Sequence, residues 1–192
     1  MKLAWLVFLP VPALAQAPVS QEPMATFGTT VVSSSGFRGD IYFIKPGTEK
    51  LPNFQNLKSE GSIYTNVLHV PPRDFSEGFP GVTERFEWFA IDYNGRFWIQ
   101  DPGKYDFFLL SDDGSKLYID GKTVINNDGV HPSAARAGGA ALKAGVHRIR
   151  VSYFQGPRFH VALILNVRRP GEDWRPFNLD LYLPPPGHED WK

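Results

Sequence analysis

Hydrophobic and polar residues alternate along much of this chain with the period of two that is typical of β-strands. In Val146–Tyr153 the apolar side chains of Ile149, Val151 and Tyr153 fall on one face of an extended backbone. Helical periodicity is poor throughout. Only Ala134–Ala144 has a helix-like composition, and two adjacent glycines inside it weaken the prediction of a helix there.

Short apolar segments separated by turn residues predict an all-β sandwich or a barrel-like β domain. Asn94-Gly95 and Asp112-Asp113-Gly114 are among the turn signals that bound these segments. The predicted strands are Arg38–Ile44, Ser62–Val70, Phe86–Ile91, Gly95–Ile99, Lys104–Ser111, Lys116–Ile119, Val146–Phe154 and Phe159–Val167.

The N-terminus has the features of a secretory signal peptide. Lys2 is followed by the apolar run Leu3–Leu9 and the small-residue pattern Ala13-Leu14-Ala15, which predicts cleavage after Ala15. The run is too short to span a bilayer, and no other stretch is long enough to do so. The alternative is an N-terminal apolar strand. We predict a secreted, periplasmic or cell-envelope protein with a signal peptide over 1–15, a leader over 16–35, one domain over 36–183 and a C-terminal tail over 184–192.

The composition argues against several classes of function. Lys+Arg and Asp+Glu both number 20, whereas a nucleic-acid partner normally requires a basic excess. The chain has no cysteine, which excludes a disulfide scaffold, a Cys-ligated zinc and a thiol nucleophile. His131, His147 and His160 lack the short spacing of zinc ligands. No catalytic motif occurs, so we predict that the protein is not an enzyme.

The densest pattern lies in Gly103–Gly121, which contains a Gly-x-Tyr-x-Phe strand, a Ser-Asp-Asp-Gly-Ser turn and a Leu-Tyr-Ile-Asp-Gly strand. These segments resemble the centre of the PA14 domain family, and the resemblance extends from Gly36 to Val167. It implies a β-sandwich or barrel-like module of the kind found in secreted adhesins, glycosidases, proteases and toxins. Several such modules bind carbohydrate, and those of fungal adhesins do so through calcium. The other segments that carry the resemblance are Gly36–Tyr42, Trp88–Ile91, Asp128–His131 and Leu142–Ile149.

Asp112 and Asp113 bring two carboxylates together at the predicted tip of a β-hairpin. Oxygen ligands on a tight loop suit calcium, and two anions this close repel unless a cation, water or backbone N–H groups stabilise them. In the adhesin branch of the family, the resemblance implies, this pair is joined by a cis peptide and takes part in metal binding. The plainer interpretation is a simple hairpin turn, because Asp, Gly and Ser are all turn formers.

A second loop, after the strand that ends near Tyr153, is implied by the resemblance to complete the site. The calcium-dependent sugar binders place an Asn there, and the matching residue of this chain is Gln155. Arg158 brings a positive charge to the same loop, which disfavours a nearby cation. The alternative to calcium is therefore a salt bridge from Arg158 to Asp112 or Asp113.

Non-catalytic binding of a glycan, with calcium as the candidate cofactor, is the function that these patterns favour. The alternative is a structural or protein-interaction module of the cell envelope, which binds an envelope protein and no metal. Exposed aromatic rings stack on the apolar faces of sugars, and the candidates here are Phe75, Phe79, Trp88 and Phe154. For each of these rings, packing inside the protein is the favoured interpretation, because aromatic side chains are often buried. The predicted ligand-binding residues are Asp112, Asp113, Gly114, Phe154, Gln155 and Arg158, with Asp112 and Asp113 as the metal ligands.

Overall fold

Two antiparallel β-sheets form the fold in the computed structural model, which describes residues 36–83, 85–188 and 191. Helical structure within those residues is limited to 3-10 turns, over Phe54–Asn56, Phe75–Glu77 and Leu179–Leu181 and at Trp191. The prediction of an all-β sandwich is confirmed. The strands are β1 Phe37–Phe43, β2 Gly61–Thr65, β3 His69–Asp74, β4 Phe89–Ile99, β5 Gly103–Asp112, β6 Ser115–Ile119, β7 Lys122–Asn127, β8 Ala134–Leu142, β9 Gly145–Gln155, β10 His160–Arg168 and β11 Arg175–Pro176.

The strand order shows how the chain moves between the sheets. The six-stranded sheet has the order β2-β1-β4-β9-β6-β7. The five-stranded sheet runs β11-β10-β5-β8, and β3 also pairs with β10. Because β5 and β6 belong to different sheets, the short segment between them crosses from one layer of the sandwich to the other.

Inward-facing residues of both sheets build the core. In β4, Phe97 and Ile99 are buried, whereas the neighbouring Arg96 is exposed. Phe177, after β11, packs against Phe97 of one sheet and Phe107 of the other, with ring centroids 5.3 and 6.1 Å away. Burial of one such side chain stabilises a fold by roughly 1.5–3 kcal/mol, so these rings help to hold the two layers together.

Two of the predicted strand boundaries are wrong. The predicted strands Phe86–Ile91 and Gly95–Ile99 are joined in the single strand β4, which begins only at Phe89 and in which Gly95 pairs with β9. Gly95 does not form a turn. It allows close packing, because a Cβ on Gly95 would come within 3.2 Å of a Leu179 methyl carbon. The predicted strand Ser62–Val70 is interrupted and forms parts of β2 and β3.

The segment with a helix-like composition, Ala134–Ala144, is extended instead. Most of it forms β8, which pairs with β5, and it lies beside β7, a strand that the sequence pattern missed. A Cβ on Gly138 would overlap the carbonyl oxygen of Val124 in β7. The small residues of β8 therefore let β7 approach closely, and this packing overrides a weak helix propensity.

The predicted signal peptide (1–15) and leader (16–35) lie outside the described residues. In the predicted tail (184–192), the His188 ring lies 4.9 Å from the Trp98 ring, and the Trp191 carbonyl accepts a hydrogen bond from Arg96. Both contacts are made with β4. Nowhere in the described ranges is there a helix with the length and hydrophobicity needed to cross a membrane.

Candidate functional site

The acidic loop, Ser111–Ser115, connects β5 of the five-stranded sheet to β6 of the six-stranded sheet. It is therefore a link between layers and not the hairpin tip that the sequence pattern predicts. The prediction is wrong because local alternation shows where a strand ends but not which sheet the next strand joins. The peptide bond between Asp112 and Asp113 is cis.

Buried polar residues fix both ends of the acidic loop. The hydroxyl oxygens of Ser111 and Ser115 lie 2.7 Å apart, and the Asn127 amide donates to Ser111 Oγ at 3.1 Å. The same amide donates to the Ala134 carbonyl oxygen at 3.0 Å. Because buried polar groups are costly when they stay unpaired, these bonds favour one arrangement of the loop.

Donors from two further loops hold the carboxylates. The His131 N–H donates to Asp113 Oδ1 at 3.1 Å, and the Gly156 N–H donates to Asp113 Oδ2 at 2.8 Å. The Ser133 hydroxyl donates to Asp112 Oδ2 at 3.0 Å. Each aspartate is only 3% exposed. The β7–β8 loop and the β9–β10 loop therefore meet the acidic loop around one pair of carboxylates.

The negative charge of this pair has no close cationic partner. Among the described residues, no side-chain nitrogen of a lysine, arginine or histidine lies within 4.0 Å of either carboxylate. Burial raises the pKa of Asp112. Burial is also the main cause that raises the pKa of Asp113 to about 6; the Gly156 and His131 N–H donors oppose this rise, and the Asp112 charge adds to it.

The Tyr153 hydroxyl joins the acidic loop to Gln155. It lies 2.7 Å from both the Asp112 carbonyl oxygen and Gln155 Oε1, so that one hydrogen serves two acceptors. Gln155 Nε2 donates to the His160 carbonyl oxygen at 3.1 Å, and the residue is fully buried. Gln155 therefore supports the β9–β10 loop from inside the protein.

Replacement of Tyr153 by phenylalanine is expected to lower the free energy of unfolding by about 1 kcal/mol, because two buried oxygens lose their donor. Tyr64→Phe is the control, since Tyr64 is 43% exposed on β2. Urea unfolding, followed by tryptophan fluorescence, compares the two variants. If Tyr153→Phe is as stable as Tyr64→Phe, the hydroxyl does not have this linking role.

Arg158 is not bound to the acidic pair. Its Nε lies 3.2 Å from Glu87 Oε1, and its guanidinium lies 5.7 Å from the centre of the Phe75 ring. The predicted alternative, a salt bridge from Arg158 to Asp112 or Asp113, is therefore wrong. The reason is that Glu87, on the segment before β4, lies closer to Arg158 than the aspartates do and forms the ion pair instead.

The aromatic candidates separate into buried and accessible rings. Phe154 is fully buried and Phe79 is 3% exposed, so neither ring has a free face on which a sugar could stack. Phe154 packs with a small cluster below the acidic loop, and Phe79 stacks on Tyr153. Phe75 and Trp88 are half-buried and line an open cavity of about 290 Å³ that Arg158 also lines.

Sequence reasoning missed the donors that hold the acidic pair. His131, Ser133 and Gly156 reach it from 18, 21 and 43 residues away along the chain. No local pattern points to contacts at such separations. The resemblance marks two parts of this set, the segment Asp128–His131 and the loop after Tyr153 that contains Gly156.

Calcium is the cation that the PA14 resemblance implies, and the acidic loop fits it in charge. Within the described ranges the two buried carboxylates have no cationic side-chain partner, and the oxygen acceptors of Asp112, Asp113 and Gln155 outnumber the donors that reach them. Asp112 and Asp113 would hold the ion, with backbone or water oxygens as the further ligands that calcium accepts. The described part of the chain contains no group of three or more His, Cys, Asp or Glu side chains suited to a metal, so the fit rests on this pair.

The protein is an all-β sandwich module in which a buried acidic pair lies at the crossover between the two sheets. The family model described as PA14 domain matches residues 34–176, and the chain therefore belongs to the PA14 domain family. A comparison with curated proteins returned no match.

Solved structures share this fold at low sequence identity. The PA14 sugar-binding domain from an RTX adhesin is 17% identical with a TM-score of 0.62, over 77% of this chain and 97% of the other. Epithelial adhesin 9 A domain from Candida glabrata, in complex with Galb1-4GlcNAc, is 18% identical with a TM-score of 0.55, over 78% and 88%. An anti-sigma factor domain-containing protein is 19% identical with a TM-score of 0.62; 80% of this chain covers 49% of that chain, about half its length.

Proposed function

We propose that this chain is a secreted or cell-envelope module that binds carbohydrate without catalysing a reaction. The observation that carries the proposal is the buried acidic pair, which three loops enclose and which no cationic side chain of the described residues balances. Support comes from structural relatives that are described as sugar-binding or were solved with a glycan. The signal-like residues 1–15 support the location.

The site that we propose combines the acidic loop with the neighbouring β9–β10 loop. Asp112 and Asp113 hold the calcium, which supplies a positive charge that carboxylates and sugar hydroxyls share. Arg158 is an exposed residue of the β9–β10 loop, with a side chain that is 68% exposed, and it offers hydrogen-bond donors to hydroxyls. Phe75 and Trp88 flank the cavity beside it and offer apolar faces to a sugar ring.

The proposal also assigns different roles to the six predicted ligand-binding residues. Asp112 and Asp113 act through the cation, and Arg158 contacts the sugar. Gly114, Phe154 and Gln155 are fully or nearly buried. They therefore shape the two loops from beneath and make no sugar contact of their own.

A glycan array tests this site directly. The intact chain is expected to bind at least one glycan class in 2 mM calcium (about the concentration that fills weak extracellular sites) and to lose the signal in EDTA. The double variant Asp112→Asn/Asp113→Asn is expected to bind at least about tenfold more weakly, since it removes the charge that holds the cation. Asp101→Asn/Asp173→Asn is the matched control, because both residues are exposed and lie outside the two loops.

Two outcomes of the array would overturn the proposal. Equal binding by the intact chain and the Asp112→Asn/Asp113→Asn variant would remove the acidic loop from the site. No glycan binding in either buffer would remove the carbohydrate function and favour the alternative, a module that binds an envelope protein without metal.

A further inference from the structure

The outward face of the six-stranded sheet carries a basic groove on the side opposite to the core. Strands β4, β9 and β6 lie side by side there, and their outward residues line a groove of about 800 Å³. Arg96 comes from β4, Arg148 from β9 and Tyr118 from β6. None of these residues belongs to the acidic loop or to the β9–β10 loop.

Arg96 and Arg148 lie directly opposite each other in the β4–β9 register. Cross-strand neighbours of this kind have Cβ atoms about 4.5–5.5 Å apart, and like charges in such pairs destabilise a sheet. Both side chains are exposed. The sheet therefore holds two cations together at a position where a pair of opposite charges or neutral residues would be more stable.

Neighbouring arginines on this sheet are paired, unlike these two. Arg38 lies 3.0 Å from Asp40, and Arg150 lies 2.7 Å from Asp92. Within the described residues, no carboxylate oxygen lies within 4.0 Å of a side-chain nitrogen of the opposed pair. No carboxylate of the described residues therefore relieves the repulsion between the two guanidinium groups.

Asp120, which also lines the groove, is engaged elsewhere. Its Oδ2 lies 2.6 Å from His147 Nδ1, and its Oδ1 accepts a hydrogen bond from the Arg148 backbone N–H at 2.9 Å. Arg96 Nη1 donates to the Trp191 carbonyl oxygen at 3.3 Å, which is a neutral acceptor. Both arginines line the groove.

The groove also presents apolar surface beside the charges. Val146 is 44% exposed, and the half-buried Tyr118 ring forms part of the lining. Gly121 adds no side chain, and a Cβ there would meet nothing within 4 Å. The groove therefore presents an aromatic ring, an aliphatic side chain and two arginines that pair with no carboxylate of the described residues.

We infer that this groove is a second binding site, and that its ligand is an acidic polysaccharide with carboxylate or sulfate groups. A guanidinium presents parallel donors that match a carboxylate or sulfate in a bidentate arrangement. The tyrosine ring and the valine suit the apolar faces of the sugar rings that carry these groups. The zero formal charge of the chain disfavours nucleic acid, for which a basic excess is the rule.

Binding of alginate oligosaccharides by the full mature chain, measured by calorimetry at low and at physiological salt, tests this inference. The intact protein is expected to bind alginate, with an affinity that falls as salt rises. The double variant R96Q/R148Q is expected to bind at least about tenfold more weakly, because each lost guanidinium removes a charge-assisted pair. The control K58Q/R136Q removes two exposed positive charges outside the groove and is expected to bind as the intact protein does.

Stability separates a binding role from a structural one. Because Arg96 and Arg148 repel, the R96Q/R148Q protein is expected to melt at the same temperature as the intact chain or higher. Equal alginate binding by both double variants, equal loss in both, or tighter binding to single-stranded DNA or to phosphatidylglycerol vesicles would each overturn the inference.

The two sites are distinguishable by crossing the variants. The Asp112→Asn/Asp113→Asn protein is expected to keep its alginate affinity while it loses calcium-dependent glycan binding. If the acidic loop does not bind carbohydrate, the proposal for the groove therefore still stands. If the groove does not bind alginate, the proposal for the acidic loop still stands. Loss of alginate binding in the aspartate variant would contradict the independence of the groove.

Discussion

The Gly114→Ala protein is expected to be less stable than the unchanged chain by about 3 kcal/mol, the upper end of what overpacking a buried site costs. A Cβ on Gly114 would overlap the Phe154 ring and lie 2.8 Å from the backbone N and O of Gly129. Backbone atoms do not swing aside as the end of a flexible side chain does. The acidic loop therefore has to move, and because Gly114 follows Asp113, glycan binding is expected to fall with it.

Gly61→Ala is the matched control for this substitution. Nothing lies within 4 Å of a Cβ built on Gly61, and the backbone there is not left-handed, so the expected change is about 0.5 kcal/mol or less. Guanidinium unfolding followed by tryptophan fluorescence gives both values. Equal stability of the two alanine variants would show that the acidic loop has room for a methyl group, contrary to the packing described above.

The second large effect concerns the pH dependence of stability, measured in EDTA so that no calcium is bound. The folded pKa of Asp113 is raised to about 6, whereas its unfolded value is 3.8. Between these values the folded protein holds a proton that the unfolded chain has released. Stability from this group is therefore greatest below pH 4 and is lost as the pH rises through 6.

Asp113→Asn removes this loss, because asparagine does not ionise. The free energy of unfolding of the variant, relative to the unchanged chain, is expected to rise by about 2 kcal/mol between pH 4 and pH 7.5. This value corresponds to a pKa shift of about two units, reduced because nearby water screens the charge. The asparagine amide also faces an N–H donor from Gly156 or His131 in place of a carboxylate oxygen. That cost is the same at every pH and does not affect the slope.

Chemical unfolding at half-unit steps of pH measures this difference. Asp112, His131 and His160 also act on the charge around the pair, and each is present in both proteins. Asp74 and Asp120, whose pKa values are lowered, give the opposite slope at acid pH and cancel in the same way. A stability difference that stays constant from pH 4 to 7.5 would contradict a raised pKa at Asp113.

The fold was readable from the sequence wherever one face of a strand is buried. Ile149 and Val151 are buried in β9 and alternate with Arg148 and Arg150, and the prediction of a strand there is confirmed. The alternation gives no such signal in Ala134–Leu142, where small residues are required by the approach of β7. The sequence pattern also predicts a turn at Asn94-Gly95, which lies inside β4. A turn-forming pair and a glycine needed for close packing look the same in sequence.

The sequence predicts only part of the candidate site, because contacts in space set the partners of its side chains. Asp112 and Asp113 stand out as a carboxylate pair, and their order within the PA14 pattern marks them. Gln155 and Arg158 were chosen by position along the chain. The structure turns Gln155 inward to Tyr153 and pairs Arg158 with Glu87, because each side chain takes the nearest partner in space.

By itself, the sequence determined that the chain forms short alternating strands, belongs to the PA14 family and carries adjacent carboxylates between two of its strands. Only the tertiary structure decided that the acidic loop crosses between sheets, that distant N–H groups hold it, and that Arg96 lies opposite Arg148. The physical reason is the separation along the chain over which each interaction acts. Side-chain alternation and turn chemistry act over a few neighbouring residues, whereas sheet partner, register and burial depend on contacts between residues far apart along the chain.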